Sequence, residues 1–157
     1  MRIVVQRVKQ ARVDIAGKPV AAIEQGLLLL TGFSSEDPIE PAEFPNWHRI
    51  IHKIPELRIF PDKEGKINWS IHEVSGEILV VSQFTLYASC KKGKRPSFSA
   101  AAPSAQAQYL YDCLIADLKK VLPHRVKSGV FGADMDLWFC NWGPVTIILD
   151  STDFEIK

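Results

Sequence analysis

The sequence predicts a single α+β domain dominated by mostly antiparallel strands. Three observations carry that expectation. The chain has 157 residues, the size of one ordinary domain, and a chain of that length buries about 68–70% of its unfolded surface. Hydrophobic residues make up 46% and charged residues 24%, so disordered and low-complexity architectures are disfavoured. The hydrophobic pattern then resolves into many short strand-like runs and one unmistakable helix, without an internal repeat or a linker.

Taken in order, Arg2–Val8 reads as a strand, with Ile3, Val5 and Arg7 on one side and Val4, Gln6 and Val8 on the other. Val13–Ile15 leads through Ala16-Gly17-Lys18-Pro19 into a hairpin that returns along Val20–Glu24. Gly26–Phe33 is a continuous apolar run of strand length, suited to a central position. Pro38, Pro41 and Pro45 break up the next segment, after which Trp47, Ile50, Ile51 and Ile54 follow helical spacing up to Pro55. Leu57–Phe60 and Ile67–Ile71 flank Asp62-Lys63-Glu64-Gly65-Lys66 as a hairpin, and Glu77–Leu86 reads as another buried strand. Over Pro103–Leu122, Ala107, Leu110, Tyr111, Leu114, Ile115 and Leu118 form one apolar helix face, and Pro123 ends it. Val126–Val130, Met135–Cys140 and Val145–Asp150 complete the chain as strands separated by Gly-containing turns.

The same pattern limits the setting. The strongest apolar stretch, Leu27–Leu30 with its neighbours, is far too short for a membrane helix. The opening residues alternate like a strand and lack the long apolar segment of a signal peptide. A soluble, cytoplasmic protein with no membrane association is expected. Cys90, Cys113 and Cys140 are odd in number and widely spaced, so reduced, partly buried thiols are expected rather than disulfides or a zinc site. Cys90 stands out only because Lys91 and Lys92 follow it.

A net charge of +1 hides a segregated pattern. Residues 1–12, 88–99 and 118–133 hold 12 of the 19 basic residues and none of the 18 acidic ones. If these blocks fold together, they form a positive face suited to a polyanion; if not, they are three separate solvated faces.

Familiar catalytic sets are missing. His48 and His52 are four apart on the proposed helix, but no H-E-x-x-H pattern or third ligand accompanies them, so no metal is expected. No nucleophile elbow, P-loop or dinucleotide fingerprint occurs. Two polar interruptions of apolar strands carry more information. Ser82-Gln83-Phe84-Thr85-Leu86 follows Ile78-Leu79-Val80-Val81 and can present hydroxyls and backbone N–H groups at a cleft. Asn141-Trp142-Gly143-Pro144-Val145-Thr146 places Gly-Pro where a turn between strands is the ordinary reading. A third stretch, Lys91-Lys92-Gly93-Lys94-Arg95-Pro96-Ser97-Phe98, is a basic loop closing on proline and an aromatic.

In this order, these segments resemble the D-aminoacyl-tRNA deacylase family, enzymes that hydrolyse misacylated D-aminoacyl-tRNA. The resemblance also takes in Gln6-Arg7-Val8, Leu57-Arg58-Ile59-Phe60, Gly65-Lys66 and Gly129-Val130-Phe131-Gly132-Ala133-Asp134-Met135, and so spans nearly the whole chain. The pairing of Ser-Gln-x-Thr-Leu with Asn-x-Gly-Pro is its most specific part. The resemblance implies a barrel-like core with flanking helices, a single domain over residues 1–157, and a homodimer with active sites at the subunit interface. It implies that Ser82, Gln83, Phe84 and Thr85 line the catalytic pocket for the aminoacylated end of the tRNA. Gly143-Pro144 is implied to be a cis element inserted into the partner's pocket, held by Arg7, with Phe131 and Met135 shaping the wall. Lys91, Lys92, Lys94 and Arg95 are then expected to bind tRNA, and no cofactor is expected.

That arrangement is chemically coherent. An aminoacyl ester is already activated, so hydrolysis needs a positioned water and stabilisation of an oxyanion, which backbone N–H groups near Phe84 and Thr85 can supply. No side-chain base is identifiable beside Thr85, which favours a positioning role over a nucleophilic one. The Gly143 and Pro144 carbonyls would accept hydrogen bonds from the substrate's amino group and leave no room for an L side chain. Glycine would pass such a filter, making glycyl-tRNA a secondary substrate.

Two positions depart from the family pattern: Trp142 stands where Asp is common, and Tyr87-Ala88-Ser89-Cys90 stands where an Asp-Thr type pair is common. Two alternatives remain open at this point. One is a catalytically silent tRNA-binding module; the other is a relative acting on L-alanyl-tRNA through a wider pocket.

Overall fold

The computed structural model describes residues 1–44 and 46–154; Pro45 and residues 155–157 are outside the described residues. The elements run β1 (Arg2–Ile15), β2 (Lys18–Ile23), β3 (Gly26–Gly32), α1 (Trp47–Glu56), β4 (Phe60–Pro61), β5 (Ile67–Trp69), β6 (Glu77–Ser82), α2 (Ser104–Val121), β7 (Val126–Ser128) and β8 (Asp136–Asp150). One sheet takes the order β2-β1-β3-β6-β7, with β8 on β1, and β4 and β5 form a separate ribbon. The pairings of β1 with β2, β3 and β8 are antiparallel, whereas β3–β6 and β6–β7 are parallel. The result is a nearly closed mixed barrel with two helices, in keeping with the α+β expectation.

The uninterrupted apolar run in β3 has a direct cause. Strands paired in parallel at the centre of a sheet are covered on both faces, so they need no polar side. Leu27, Leu29, Ile78 and Val80 face a core shared with Ile50, Ile54, Leu110 and Leu114 of the helices. Their neighbours Leu28, Leu79 and Val81 turn the other way, into a second cluster with Val8 and Val13 inside the barrel. Burial of this kind is worth about 1.5–3 kcal/mol per large side chain. Tyr111 ties the two layers together: its hydroxyl donates to the Val80 carbonyl at 2.8 Å.

Three expectations need correction. The strand from Glu77 stops at Ser82, and Phe84–Tyr87 forms a 3-10 turn instead. The Gln83 N–H makes the last link to β3, donating to Thr31 O at 2.7 Å, before the Leu86 N–H folds back onto Gln83 O at 3.2 Å. Second, Gly143-Pro144 is not a turn between two strands; β8 runs through it from Asp136 to Asp150. Third, the hairpin around residues 62–66 is shorter than expected, with only Phe60–Pro61 and Ile67–Trp69 paired. Of the thiols, Cys113 is half-buried, but Cys90 and Cys140 are exposed.

The 3-10 turn is anchored by Arg2, whose Nε donates to Asp150 Oδ2 at 2.8 Å and whose Nη1 donates to Leu86 O at 2.9 Å. Burial works against ionisation of Asp150, but hydrogen bonds from Arg2 and Thr152 outweigh it and hold its pKa below 3.8. A depressed carboxylate stabilises the fold fully above its unfolded pKa and loses that contribution as pH falls through the folded value. Asp150→Asn should therefore lower stability at neutral pH and flatten the acid limb. Denaturant midpoints measured from about pH 2 to pH 6 test this; parallel wild-type and variant curves would contradict it.

Candidate active site

A cavity of about 510 Å³ opens at the carboxyl end of β6. Strands aligned in parallel expose their carboxyl ends to one rim, a recurrent place for ligands. Ser82, Gln83 and Phe84 form one wall, and Phe131 and Met135 form the facing one. Ser104 and Ala107, from the first turns of α2, close the third side. Sequence reasoning missed this helical wall. The one local signal is Ala102, a small residue just before the helix start that also lines the cavity.

Among the described residues, none that lines the cavity ionises. The polar groups are the hydroxyls of Ser82 and Ser104, the Gln83 amide and the backbone. Thr85 is not part of the wall. It is exposed on the 3-10 turn, where Gln83 Nε2 donates to its Oγ1 at 2.5 Å. Among the described residues, the Phe84 and Thr85 N–H groups donate to no carbonyl, as the opening of a helical turn requires. The start of α2 adds the positive end of an 18-residue helix to the same cavity.

Gly143 and Pro144 lie apart from this cavity, exposed on β8, and the peptide between them is cis. Their presentation follows from the strand register. Thr146 pairs with Gln6 and Asn141 with Val8, so the four residues 142–145 stand opposite Arg7 alone. Such an excess of chain must bulge outward. Asn141 Nδ2 closes the base of the bulge by donating to Thr146 Oγ1 at 3.2 Å.

Arg7 fills the space beneath. It is only 5% exposed, on the side of the strand shared with Ile3 and Val5. Its Nε donates to Trp142 O at 2.9 Å and its Nη1 to Ile59 O at 2.5 Å. The guanidinium also lies 4.6 Å from the centre of the Trp142 ring, a stacking geometry that stabilises a desolvated cation. Burial pushes its pKa down from the ordinary value, yet an arginine remains charged at any physiological pH.

Several cations of the basic blocks are neutralised locally. Arg2 and Arg12 are paired with Asp150 and Asp14, and Lys120 and Lys127 with Asp117 and Glu77. By contrast, Lys91, Lys92, Lys94 and Arg95 are exposed and, among the described residues, make no ion pair. They occupy the tip of a loop closed by reciprocal Ser89–Ser97 backbone hydrogen bonds of 2.8 and 2.9 Å. Among the described residues, no group of three or more His, Cys, Asp or Glu side chains could hold a metal, and no helix is long and apolar enough to cross a membrane.

Comparison with known proteins extends this picture. The sequence model of a family described as D-Tyr-tRNA(Tyr) deacylase matches residues 4–150. A D-aminoacyl-tRNA deacylase of Solidesulfovibrio magneticus is 55% identical, covering 98% of this chain and 97% of that protein. One from Aquifex aeolicus is 46% identical, covering 98% of this chain and 99% of its own length. Among solved structures, a c-Myc DNA Unwinding Element Binding Protein is 40% identical with a TM-score of 0.85, covering 96% of this chain and 98% of that one. A further structure, "Structural Analysis of a probable eukaryotic D-amino acid tRNA deacylase", shares the fold at a TM-score of 0.79 and 22% identity, covering 94% of this chain and 97% of that one.

Gly143 offers a sharp test of the clamp. Its φ is +122°, and an added Cβ would sit 2.6 Å from Arg7 Nη2 and 3.1 Å from Val145 Cγ2. A free arginine would swing away, but this one is fixed by two carbonyls. Gly143→Ala should thus cost about 1–3 kcal/mol of stability. Chemical denaturation checks this, and an unchanged midpoint would show the guanidinium to be free to move.

Proposed function

Because the chain belongs to the D-Tyr-tRNA(Tyr) deacylase family, we infer that it is a hydrolase that cleaves the ester of D-aminoacyl-tRNA to free amino acid and tRNA. The observation that supports this reading best is a cavity with polar groups but no ionisable side chain. An amide or a phosphate ester would demand an acid, a base or a metal. An aminoacyl ester is activated enough to need only orientation and a receptor for negative charge.

In this reading, water attacks the ester carbonyl, and the resulting oxyanion is received by the Phe84 and Thr85 N–H groups. Collapse of the tetrahedral intermediate expels the ribose oxygen, which takes up the proton that the attacking water loses as the tRNA leaves. The first turn of α2 favours the same negative charge. Thr85, on the turn beside the cavity rather than in its wall, orients the acceptor end at the mouth rather than attacking the ester: its oxygen already accepts from Gln83, and among the described residues no ionisable side chain lines the cavity to take its proton. Ser82 and Gln83 complete the polar wall, and the reaction uses no cofactor.

The chiral filter in this reading comes from a second copy. The exposed Gly143-Pro144 bulge of one protomer enters the cavity of its partner, where two carbonyls receive the substrate's amino group and exclude an L side chain. Glycyl-tRNA, with no side chain to clash, is then a secondary substrate. Support for a homodimer comes from β8, which among the described residues pairs with β1 alone and leaves Trp138 and Ile148 each 61% exposed. Large apolar side chains on an open strand favour association. In this reading the protein acts in the cytoplasm, where charged tRNA is used.

Incubation with D-Tyr-tRNA, L-Tyr-tRNA and Gly-tRNA tests the activity. Loss of the D and glycyl esters with the L ester spared is expected; tRNA binding with all three esters intact would replace the enzyme by a binding module. A second measurement addresses the loop. Replacing Lys91, Lys92, Lys94 and Arg95 by Gln should weaken tRNA binding and reduce the slope of log K against log salt by roughly 0.7–0.9 for each cation in contact with phosphate. An unaltered slope would remove the loop from the interface.

A further inference from the structure

Next to the cavity mouth, two aromatic rings are left in water. Phe84 is 54% exposed and Phe98 is 41% exposed, and their centroids stand 5.0 Å apart in an edge-on arrangement at 65°. The pair joins the cavity to the basic loop: Phe84 is part of the cavity wall, and Phe98 directly follows the Ser97 that closes the loop. The backbone holds Phe98 from both sides. Ser97 is bridged to Ser89, and the Phe98 carbonyl accepts from the Ala101 N–H at 3.0 Å. With its backbone held and its ring packed against Phe84 at 5.0 Å, Phe98 has less freedom to lose on binding, which favours its use as a contact surface.

We propose that the Phe84–Phe98 pair is a stacking platform for a nucleobase of the single-stranded 3′ end of the RNA, next to the nucleotide whose ester enters the cavity. The assignment of the RNA rests on the deacylase reading; the platform itself rests on the rings and the charges beside them. Charge complementarity selects the occupant. Exposed aromatics flanked by four unpaired cations form the combination that single strands require, in which bases stack and phosphates are neutralised. An acidic peptide would satisfy the cations but has no flat π-face for the rings. The platform tolerates any base, so it contributes affinity and register without reading sequence.

The test uses an uncharged acceptor-stem minihelix ending in single-stranded CCA, with the fluorescent analogue pyrrolocytosine at the penultimate position. Binding to the wild-type protein should quench the fluorophore by stacking. Phe98→Ala should abolish the quenching and weaken binding roughly 5- to 150-fold, the range for one base–aromatic stack. Phe98→Tyr should restore both, whereas Phe98→Leu, apolar but without a π-face, should behave like Phe98→Ala. Thermal melts of the three variants establish that each is folded. Wild-type quenching in Phe98→Leu or Phe98→Ala would overturn the platform, as would equal competition by polyglutamate. The D-Tyr-tRNA ester assay on the wild type reports separately on the deacylase reading. Phe98-dependent quenching with the ester left intact would defeat that reading and support the platform.

Discussion

A guanidinium buried in the middle of a strand pays heavily in lost hydration, and a fold keeps one only where its hydrogen bonds cannot be made otherwise. Arg7 is in that position. It sits where β8 has four residues against its one, so Trp142 and its neighbours cannot satisfy their carbonyls through the ladder. A planar donor with several fixed N–H vectors reaches Trp142 O and Ile59 O together; a lysine, with one ammonium on a flexible stem, would not. The bulge and the arginine thus require each other. Without the bulge Arg7 would be a buried charge with no role, and without Arg7 the bulge would have no floor.

The cavity depends on a second constraint, imposed from the other end of the sheet. β3 and β6 are apolar on both faces because one face meets the helices and the other fills the barrel. Such a strand has no polar option until it leaves the sheet. When it does, at Ser82, polar side chains and unpaired N–H groups appear together within a few residues. The concentration of chemistry at Ser82–Thr85 is thus a boundary effect of the core. The same packing fixes the α2 side of the site, since Tyr111 bonds the Val80 carbonyl two residues before Ser82.

Much of this was legible in the sequence. Continuous apolar runs gave the buried strands, and the spacing of Leu110, Leu114 and Leu118 gave α2, because those patterns are imposed by burial alone. What escaped was set by long-range pairing. Nothing local distinguishes Gly143-Pro144 in a turn from Gly143-Pro144 on a strand bulge; the difference lies in the register against Gln6 and Val8. The end of β6 at Ser82 was missed for a similar reason, since Phe84, Leu86 and Tyr87 are good strand residues. They are drawn into a 3-10 turn by Arg2, from the far end of the chain sequence. The basic blocks could not be resolved from sequence because acid-free stretches find their acids in space: Arg2 meets Asp150, and Lys127 meets Glu77. Among the described residues, the four cations of the loop block make no ion pair.

Trp142 shows how a change of residue type can leave a geometry standing. An aspartate at this position would face Arg7 as a counter-ion. The tryptophan supplies no charge, but its ring lies over the guanidinium at 4.6 Å and packs 6.5 Å from the Phe60 ring, so it removes water from the cation while offering it a π-face. A carboxylate would hold Arg7 by Coulomb attraction, which is little screened around a side chain that is 5% exposed. The ring holds it through its quadrupole and by keeping water away. Meanwhile the hydrogen bond that fixes the bulge comes from the backbone carbonyl of residue 142, which every amino acid provides. The side chain at this position is therefore free to vary in chemistry, provided it keeps the guanidinium flat against the floor of the bulge and leaves the carbonyl pointing at it.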